Sequence, residues 1–288
     1  MKLSVLLAIS LLRRPTLEKY ALACREPSLA TVCRLGIDMQ KVRRMLSFLS
    51  DGRHRICFYG MEEYPAQFCH LENPPFCLMY TGHLPEAGTQ LLTLCGTRYP
   101  DGNAAQDAYA FALEAAANDV QLVVSNSRGI DRSAVYACVD LKRKPLVVCD
   151  CGLATSRITA DALLDSVSLV SAFEPDAPAL AFRCLSRNVL STAFGEATVV
   201  MQAPKRSGSL HCATCALDQG KDVFVHRIGD TALYDGNRML LEMGAPMIRD
   251  YADLAFLLGW KKRVHLGPDP RKESLYRFGC SWYSLEYD

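Results

Sequence analysis

Residues 91–131 read LLTLCGTRYPDGNAAQDAYAFALEAAANDVQLVVSNSRGID. The apolar run at 91–95 predicts a buried strand, residues 104–117 have the apolar spacing of an amphipathic helix, and residues 121–125 predict a second strand. A helix-length connection between two strands is typical of parallel pairing. The segment therefore predicts a β–α–β unit.

The same alternation continues on the C-terminal side of this unit. Further strands are predicted over 146–149, 168–172, 198–202 and 223–226, and helices over 132–142, 179–194 and 209–219. This order predicts an α/β fold in which an extended, Rossmann-like parallel or mixed sheet carries helices on both faces. Crossovers in such a sheet are right-handed, and ligands collect beyond the carboxyl ends of its strands.

The regions flanking this pattern differ in composition. Residues before about position 60 show short helical periods interrupted by Pro15 and Pro27, and the prolines in 64–75 favour an extended connection. Residues 261–288 are polar and aromatic without a clear period. We therefore predict a small N-terminal helical domain over 1–63, a Rossmann-like domain over 64–260 and a C-terminal tail over 261–288.

Composition limits the classes of function. The 288 residues carry a formal net charge of only +1, so nucleic-acid binding would need a local cationic patch. The 13 cysteines are odd in number and lie in apolar stretches, which favours free thiols and a reducing, cytoplasmic compartment. Cys212 and Cys215 form a CxxC without a matching second pair, so no metal site is predicted.

The N-terminal apolar run at 5–12 resembles the start of a signal peptide. Arg13 and Arg14 follow it directly and no small-residue cleavage site is present, so we do not expect export. No apolar segment reaches the ~18 residues that a membrane-spanning helix needs.

Small, hydroxylated and cationic residues cluster where the predicted strands end. Small residues let backbone approach a ligand, helix N-termini offer free N–H groups, and arginine donates to phosphate oxygens. We expect the five cations Arg98, Arg128, Arg187, Lys205 and Arg206 to line one groove. The full candidate phosphate site consists of Gly96, Thr97, Arg98, Ser125, Arg128, Gly129, Asp131, Arg157, Arg187, Asn188, Lys205, Arg206, Ser207, Gly208 and Ser209.

Each of these motifs also has a purely structural interpretation. Gly96 suits a tight turn, Asp131 can cap a helix, and 207–209 can be an ordinary N-cap. No Walker loop, complete GxGxxG, GxSxG or HExxH occurs, and the six histidines show no ligand spacing. Asp131 is the one candidate acid near the site, and a lone carboxylate is weak evidence for catalysis. No catalytic residue, metal or cofactor is predicted.

Taken in order, these motifs resemble the bacterial DNA-processing protein A family, also called DprA or Smf, over most of residues 64–258. Gly96-Thr97-Arg98 stands at the family's glycine-x-arginine turn, and 123–131 stand at its serine-glycine-x-alanine-x-GID motif. Arg187-Asn188 matches the start of arginine-asparagine-arginine. Residues 207–210, with Thr214, resemble the SGSL-x-TA helix start, and 236–237 with 244–245 resemble the closing element.

The chain departs from the family pattern at several positions. Asn126 and Ser127 replace a glycine and an alanine, Val189 replaces the second arginine, and Gln202 replaces an acidic residue. His226-Arg227 stands in place of a proline-glycine. The family's tyrosine-proline after 151–153 is absent, although Arg157 keeps a cation nearby, and we do not expect the winged-helix domain that many relatives carry.

The resemblance implies a non-enzymatic protein that binds incoming single-stranded DNA, protects it and assists loading of the RecA recombinase in transformation or recombination. It also implies self-association through the Rossmann-like domain. Cations and backbone amides can hold phosphates without reading sequence, as single-strand binders require.

Two alternatives use the same pocket. A Rossmann-like hydrolase of nucleoside monophosphates would need a catalytic glutamate at a helix start, and none follows 207–209. A sensor of a small nucleotide would use the phosphate site without DNA.

Overall fold

A nine-stranded mixed sheet forms the centre of the molecule. The computed structural model describes residues 1–101, 103–156, 165–229 and 234–261. The strands are β1 (His54–Phe58), β2 (Cys77–Thr81), β3 (Leu91–Cys95), β4 (Gln121–Ser125), β5 (Leu146–Val148), β6 (Ser168–Ser171), β7 (Ala197–Val200), β8 (Asp222–His226) and β9 (Met247–Ile248). The helices are α1 (Leu3–Ser10), α2 (Thr16–Cys24), α3 (Leu29–Cys33), α4 (Met39–Leu49), α5 (Ala104–Ala117), α6 (Ile130–Asp140), α7 (Ala181–Phe194), α8 (Gly208–Asp218), α9 (Asp235–Glu242) and α10 (Tyr251–Leu257).

The strand order is β1-β2-β6-β5-β4-β3-β7-β8-β9. All neighbours from β6 to β9 pair in parallel, whereas β2 is antiparallel to both β1 and β6. The chain proceeds outward from β3 to β4, β5 and β6, and then returns to place β7 on the other side of β3. The topological switch point therefore lies between β3 and β7, where open α/β sheets open a crevice for ligands.

Helices cover both faces of the sheet, which is why its central strands are apolar on both sides. Leu92 and Leu94 of β3 pack in a core shared with α5 and α6, and α1 to α4 extend the same core. Leu91 packs on the opposite face with Phe194 of α7, and Cys95 packs with α8. Buried alanines of α5 and α6 leave room for these two helices to lie close together.

The predicted α/β class with a Rossmann-like sheet and N-terminal helices is confirmed. Strands 91–95 and 121–125 and helix 104–117 coincide with β3, β4 and α5, and the ends of the other predicted elements fall within two residues of the structure. Helices α6 and α8 begin at Ile130 and Gly208, two residues and one residue earlier than the apolar period indicated, directly after the N-caps Gly129 and Ser207.

Strands β1, β2 and β9 were not predicted. β1 and β9 are the edges of the sheet, and β2 lies beside β1. β1 begins with polar, half-exposed residues that carry little strand signal. Residues Ala66–His70 form a 3-10 helix, so the prediction of an extended connection over 64–75 is wrong there. Proline fixes only its own φ and its predecessor's region, and Pro65 here opens the helical turn.

The division at residues 63 and 64 stays a prediction. β1 lies before that boundary, yet it pairs within the main sheet, and the N-terminal helices share the core of α5 and α6. The predicted tail lies, apart from Lys261, outside the described residues. None of the helices in the described ranges combines the length and apolarity required to traverse a bilayer.

Candidate phosphate-binding cavity

A cavity of about 310 Å³ opens beyond the carboxyl ends of β3 and β4, beside the turn that follows β7. This position is the switch point of the sheet. The structure brings ten of the predicted residues together in its lining: Gly96, Thr97, Arg98, Ser125, Asp131, Arg187, Asn188, Ser207, Gly208 and Ser209.

The turns after β3 and β4 are joined by close backbone approach. Gly129 has φ +77, and a Cβ there would lie 2.4 Å from the carbonyl oxygen of Thr97. Ile130 N donates to that carbonyl at 3.2 Å. A Cβ on Gly96 would in turn lie 2.5 Å from the Ile130 side chain. Both glycines are therefore required by contact between the two turns, which places the start of α6 against the cavity.

The third turn is fixed to the first by hydrogen bonds. Thr97 N donates to the carbonyl of Gln202 at 2.7 Å. Asn237 accepts from Ala203 N and donates to the carbonyl of Met201 at 3.2 Å, so α9 holds the end of β7. The family-like Gly236-Asn237 thus has a structural role.

Helix α8 presents its N-terminus to the cavity. Ser207 is the N-cap, and its hydroxyl accepts from Leu210 N at 3.1 Å. Gly208 and Ser209 supply the first N–H groups of the helix and line the cavity. An α-helix has no internal acceptor for these groups, and they carry part of its positive end charge.

Helix α7 contributes the most unusual side chain of the cavity. Arg187 is only 4% exposed, and its Nε and Nη1 have no hydrogen-bond partner among the described residues. One turn later Ser191 also lines the cavity, and its buried hydroxyl is likewise without a partner in the described part of the chain. Leaving a charged donor buried and unpaired is costly unless a ligand completes it.

Asn188, next to Arg187, is occupied by the protein itself. Its side-chain amide donates to the carbonyl of Gly208 at 2.9 Å and contacts the ring of His211 at 3.2 Å. Asn188 therefore connects α7 to the start of α8.

Asp131 is buried beside the cavity. It accepts hydrogen bonds from the Ser125 hydroxyl and, at 2.9 Å, from Ser125 N. Burial raises the pKa of the Asp131 carboxyl, and the Ser125 hydrogen bonds and the charge of Arg187 offset only part of that rise. The carboxyl group thus orders the turn after β4 in the lining of the cavity.

A second carboxylate lies behind the rim. Asp150 accepts from Cys184 at 2.9 Å and from Asn126 at 3.0 Å. Burial alone would raise the pKa of Asp150, but these hydrogen bonds and the charges of Arg187 and Arg98 outweigh burial and lower it. Asp150 is therefore ionised at neutral pH and balances part of the cationic charge.

The prediction that five cations line one groove is only partly right. Arg98 is exposed at the rim and Arg187 lies inside, but Arg128 is stacked over the Tyr99 ring at 5.4 Å without lining the cavity. Lys205 is exposed outside the lining, and Arg206 borders a separate depression along α8. A shared sheet edge brings backbones together but does not fix the direction of a long side chain. Arg157 lies outside the described residues.

The departures from the family pattern have structural partners. Asn126 binds Asp150, and Gln202 donates to Asp101 at 2.9 Å and to the carbonyl of Ile228 at 3.2 Å. His226 is buried edge-on against Phe111. The Val189 carbonyl accepts from Gln219.

Sequence reasoning missed nine residues of the cavity lining, four of which bear on the chemistry of the site. Ser191 could have been found because it follows Arg187 by one helical turn, and Tyr99 because it directly follows Arg98. Cys95 and Cys212 had no signal beyond their apolar neighbours. Within the described ranges, no three His, Cys, Asp or Glu side chains lie close enough together to bind a metal ion.

The cavity therefore offers a buried guanidinium, a hydroxyl and helix N–H groups as donors, with a second arginine at the rim. This set of donors is suited to the oxygens of a phosphate group.

Comparison with known proteins agrees with this geometry. A family model described as DNA recombination-mediator protein A matches residues 55–258. Protein Smf of Escherichia coli (strain K12) is 27% identical over 260 residues, which cover 84% of this chain and 69% of that protein.

Two solved structures share the fold. DNA processing protein A (DprA) from Streptococcus pneumoniae superimposes with a TM-score of 0.74 at 20% identity, covering 90% of this chain and 97% of that one. DNA processing protein A from Helicobacter pylori gives 0.62 at 23% identity, covering 73% and 98%. The family match takes in every turn that lines the cavity, and on this evidence the chain belongs to the DNA recombination-mediator protein A family.

Proposed function

We propose that the cavity binds the phosphate backbone of single-stranded DNA and that the protein acts in DNA recombination or transformation. The observation that carries this proposal is Arg187, a buried guanidinium whose Nε and Nη1 have no partner among the described residues. A phosphate oxygen would supply the missing acceptor, and the N–H groups of Gly208 and Ser209 would converge on the same anion.

The rim suits a single strand better than a duplex. Tyr99 is 72% exposed with Arg128 stacked over its ring, so an aromatic surface lies next to the exposed Arg98. Unpaired bases stack on such aromatic side chains while cations follow the backbone, and neither contact depends on sequence. The H. pylori relative has a single-stranded DNA binding mode, which supports the same assignment.

The described residues of the cavity supply donors for an anion, and the carboxyl group among them is already engaged. Asp131 is engaged by Ser125 and orders the turn. We therefore propose a binding protein that is not an enzyme, with Gly96, Thr97, Arg98, Ser125, Arg187, Ser207, Gly208 and Ser209 around the phosphate.

Self-association, contact with RecA and a cytoplasmic location are further parts of the proposal. Met243, Met247 and Phe256 are large apolar side chains left exposed near the β9 edge, with exposed fractions of 70%, 47% and 85%. Such a surface supports a homodimer, and sedimentation at increasing concentration would test it.

The decisive experiment compares oligonucleotides with mononucleotides. We expect a single-stranded homopolymer to bind with an affinity that falls steeply with salt, by a log–log slope of about −0.7 per phosphate contact. A cavity of about 310 Å³ is also large enough for one nucleotide, which favours the small-nucleotide sensor as the second candidate. Tight mononucleotide binding without oligonucleotide binding would favour that sensor.

A further inference from the structure

Two buried thiols lie in the lining of the cavity. Cys95 is the last residue of β3 and Cys212 lies one turn into α8, and they are 7% and 3% exposed. Both line the cavity, and both pack in the same apolar cluster. Cys95 Sγ also lies 3.8 Å from the carbonyl of Ser209, one turn before Cys212. The strand end and the helix that form the anion site are therefore joined through a thiol pair.

We propose that Cys95 and Cys212 form a reversible disulfide with a hydroperoxide as oxidant, and that the oxidised protein loses its affinity for phosphate ligands. The consequence for binding rests on the proposed function, whereas disulfide formation does not. Both residues line the cavity, whose volume of about 310 Å³ admits a molecule as small as hydrogen peroxide.

The reaction balances in two steps. The Cys95 thiolate attacks one peroxide oxygen, the O–O bond breaks, and the products are a sulfenic acid on Cys95 and a hydroxide ion that takes up the thiol proton as water. The Cys212 sulfur then attacks the Cys95 sulfur, the S–O bond breaks, and a second water leaves with the Cys212 proton. Two thiols are oxidised to one disulfide, and one peroxide is reduced to two waters.

The surroundings set the rate of this reaction. The hydrogen bond with Cys212 and burial raise the pKa of Cys95 well above the usual thiol value, and the charge of Arg187 offsets part of that rise. The reactive thiolate is therefore scarce at neutral pH, so oxidation should be slow there and faster in alkali. An anion bound near Arg187 should slow it further, because it cancels the favourable charge and covers the entrance.

A covalent S–S bond is much shorter than a thiol–thiol contact. Forming it draws α8 toward the end of β3, and the first N–H groups of α8 belong to Gly208 and Ser209. Displacing these donors from the anion should weaken binding by about tenfold or more, the equivalent of one charge-assisted hydrogen bond.

The test treats the full chain with hydrogen peroxide at pH 7 and pH 9 and maps disulfides by non-reducing peptide mass analysis. Binding of oligothymidylate is measured before oxidation, after it and after reduction with dithiothreitol. The expected results are a cross-linked Cys95–Cys212 peptide that forms faster at pH 9, a loss of affinity of about tenfold or more, and recovery on reduction.

Two variants sharpen the result. Cys212→Ser should lose its sensitivity to peroxide. Cys138→Ala removes a buried thiol of α6 that is not part of the cavity lining, and it should respond to peroxide like the unaltered protein.

The experiment distinguishes failure of the disulfide inference from failure of the proposed function. Absence of a cross-link, a cross-link of Cys212 to Cys215 instead, or full oxidation without loss of affinity would each overturn the inference. If the reduced protein binds no oligothymidylate, the proposed function fails, and the peptide map alone decides whether the disulfide site exists.

Discussion

Replacing Arg187 by methionine tests whether this arginine binds a ligand or stabilises the fold. Methionine keeps an unbranched side chain in place but removes the charge and every donor. The two nitrogens without a partner, Nε and Nη1, are available for two bonds to an anion. A hydrogen bond to a charged group is worth about 1.5–3 kcal/mol, so two such bonds amount to at least about 3 kcal/mol. Because 1.4 kcal/mol corresponds to about a factor of ten, oligonucleotide affinity should fall roughly 100-fold.

The free energy of unfolding of the ligand-free protein should change little, in contrast to the affinity. No ion pair within the described ranges involves Arg187, so the substitution breaks no close pair in the free protein. We expect the free energy of unfolding to change by less than about 1 kcal/mol, whereas removing one partner of a true buried pair costs about 3–5 kcal/mol. Urea titration measures this quantity, and fluorescence anisotropy with labelled oligothymidylate measures the affinity.

The matched control is Arg143→Met. It makes the same change in net charge, but Arg143 pairs with Asp119 at the amino-terminal edge of the sheet, away from the cavity. Its effect on affinity should stay within about threefold, as for a distant and screened charge. An Arg187→Met protein that keeps its affinity and salt slope, or that loses about 3–5 kcal/mol of stability with affinity intact, would show that Arg187 does not contact the ligand.

Four further predictions concern the rim, the turns and the supporting helix. Arg98→Ala should weaken oligonucleotide binding by about 1.5–3 kcal/mol for every sequence and make the salt slope shallower by about 0.7, which titrations at several salt concentrations would show; an unchanged slope would remove Arg98 from the site. Gly129→Ala should cost at least about 1–3 kcal/mol of stability in urea titration, because φ is +77 and the new Cβ meets backbone, whereas Gly208→Ala, with nothing near its Cβ, should leave stability unchanged. Because burial raises the pKa of Asp131, the folded protein favours the protonated carboxyl group. The contribution of Asp131 to the free energy of unfolding is therefore complete below the usual carboxyl pKa and is lost as pH rises through the raised pKa. A bound anion favours the protonated form too, so affinity should increase as pH falls through that range, and Asp131→Asn should flatten the profile measured by anisotropy. Lys221→Met should lower the free energy of unfolding by about 1–3 kcal/mol, because Nζ donates to three carbonyls at the end of α7 at 2.6–2.7 Å, and an unchanged denaturation midpoint would contradict this.

The central part of the fold could be predicted from the sequence because its strands are apolar on both faces and are separated by helix-length segments. β3, α5 and β4 coincide with their predicted bounds for this reason. β1 and β9 could not be found in this way, because an edge strand is half exposed or very short and lacks a continuous apolar run.

The site was predicted where the backbone determines it and not where side-chain direction does. Gly96 and Ser207 lie at the cavity because strand ends and helix starts converge at a switch point. Arg128 and Arg206 follow the same strand ends, but one stacks on Tyr99 and the other turns toward a neighbouring depression. The burial of Arg187 without a partner, the observation on which the function rests, depends on packing between α7 and α8 that local sequence does not encode.

The return of the chain across β3 has a mechanical consequence. Strands β1, β2 and β4 to β6 form one wing of the sheet and β7 to β9 the other, so β3 lies between the two wings. Ser125 comes from the first wing, and Ser207 to Ser209 follow the first strand of the second. A phosphate bound by residues of both wings would therefore connect the two wings across β3. Its binding should make the two wings open as one cooperative unit, so that amide hydrogen exchange in β5 and in β8 slows together even though neither strand touches the ligand.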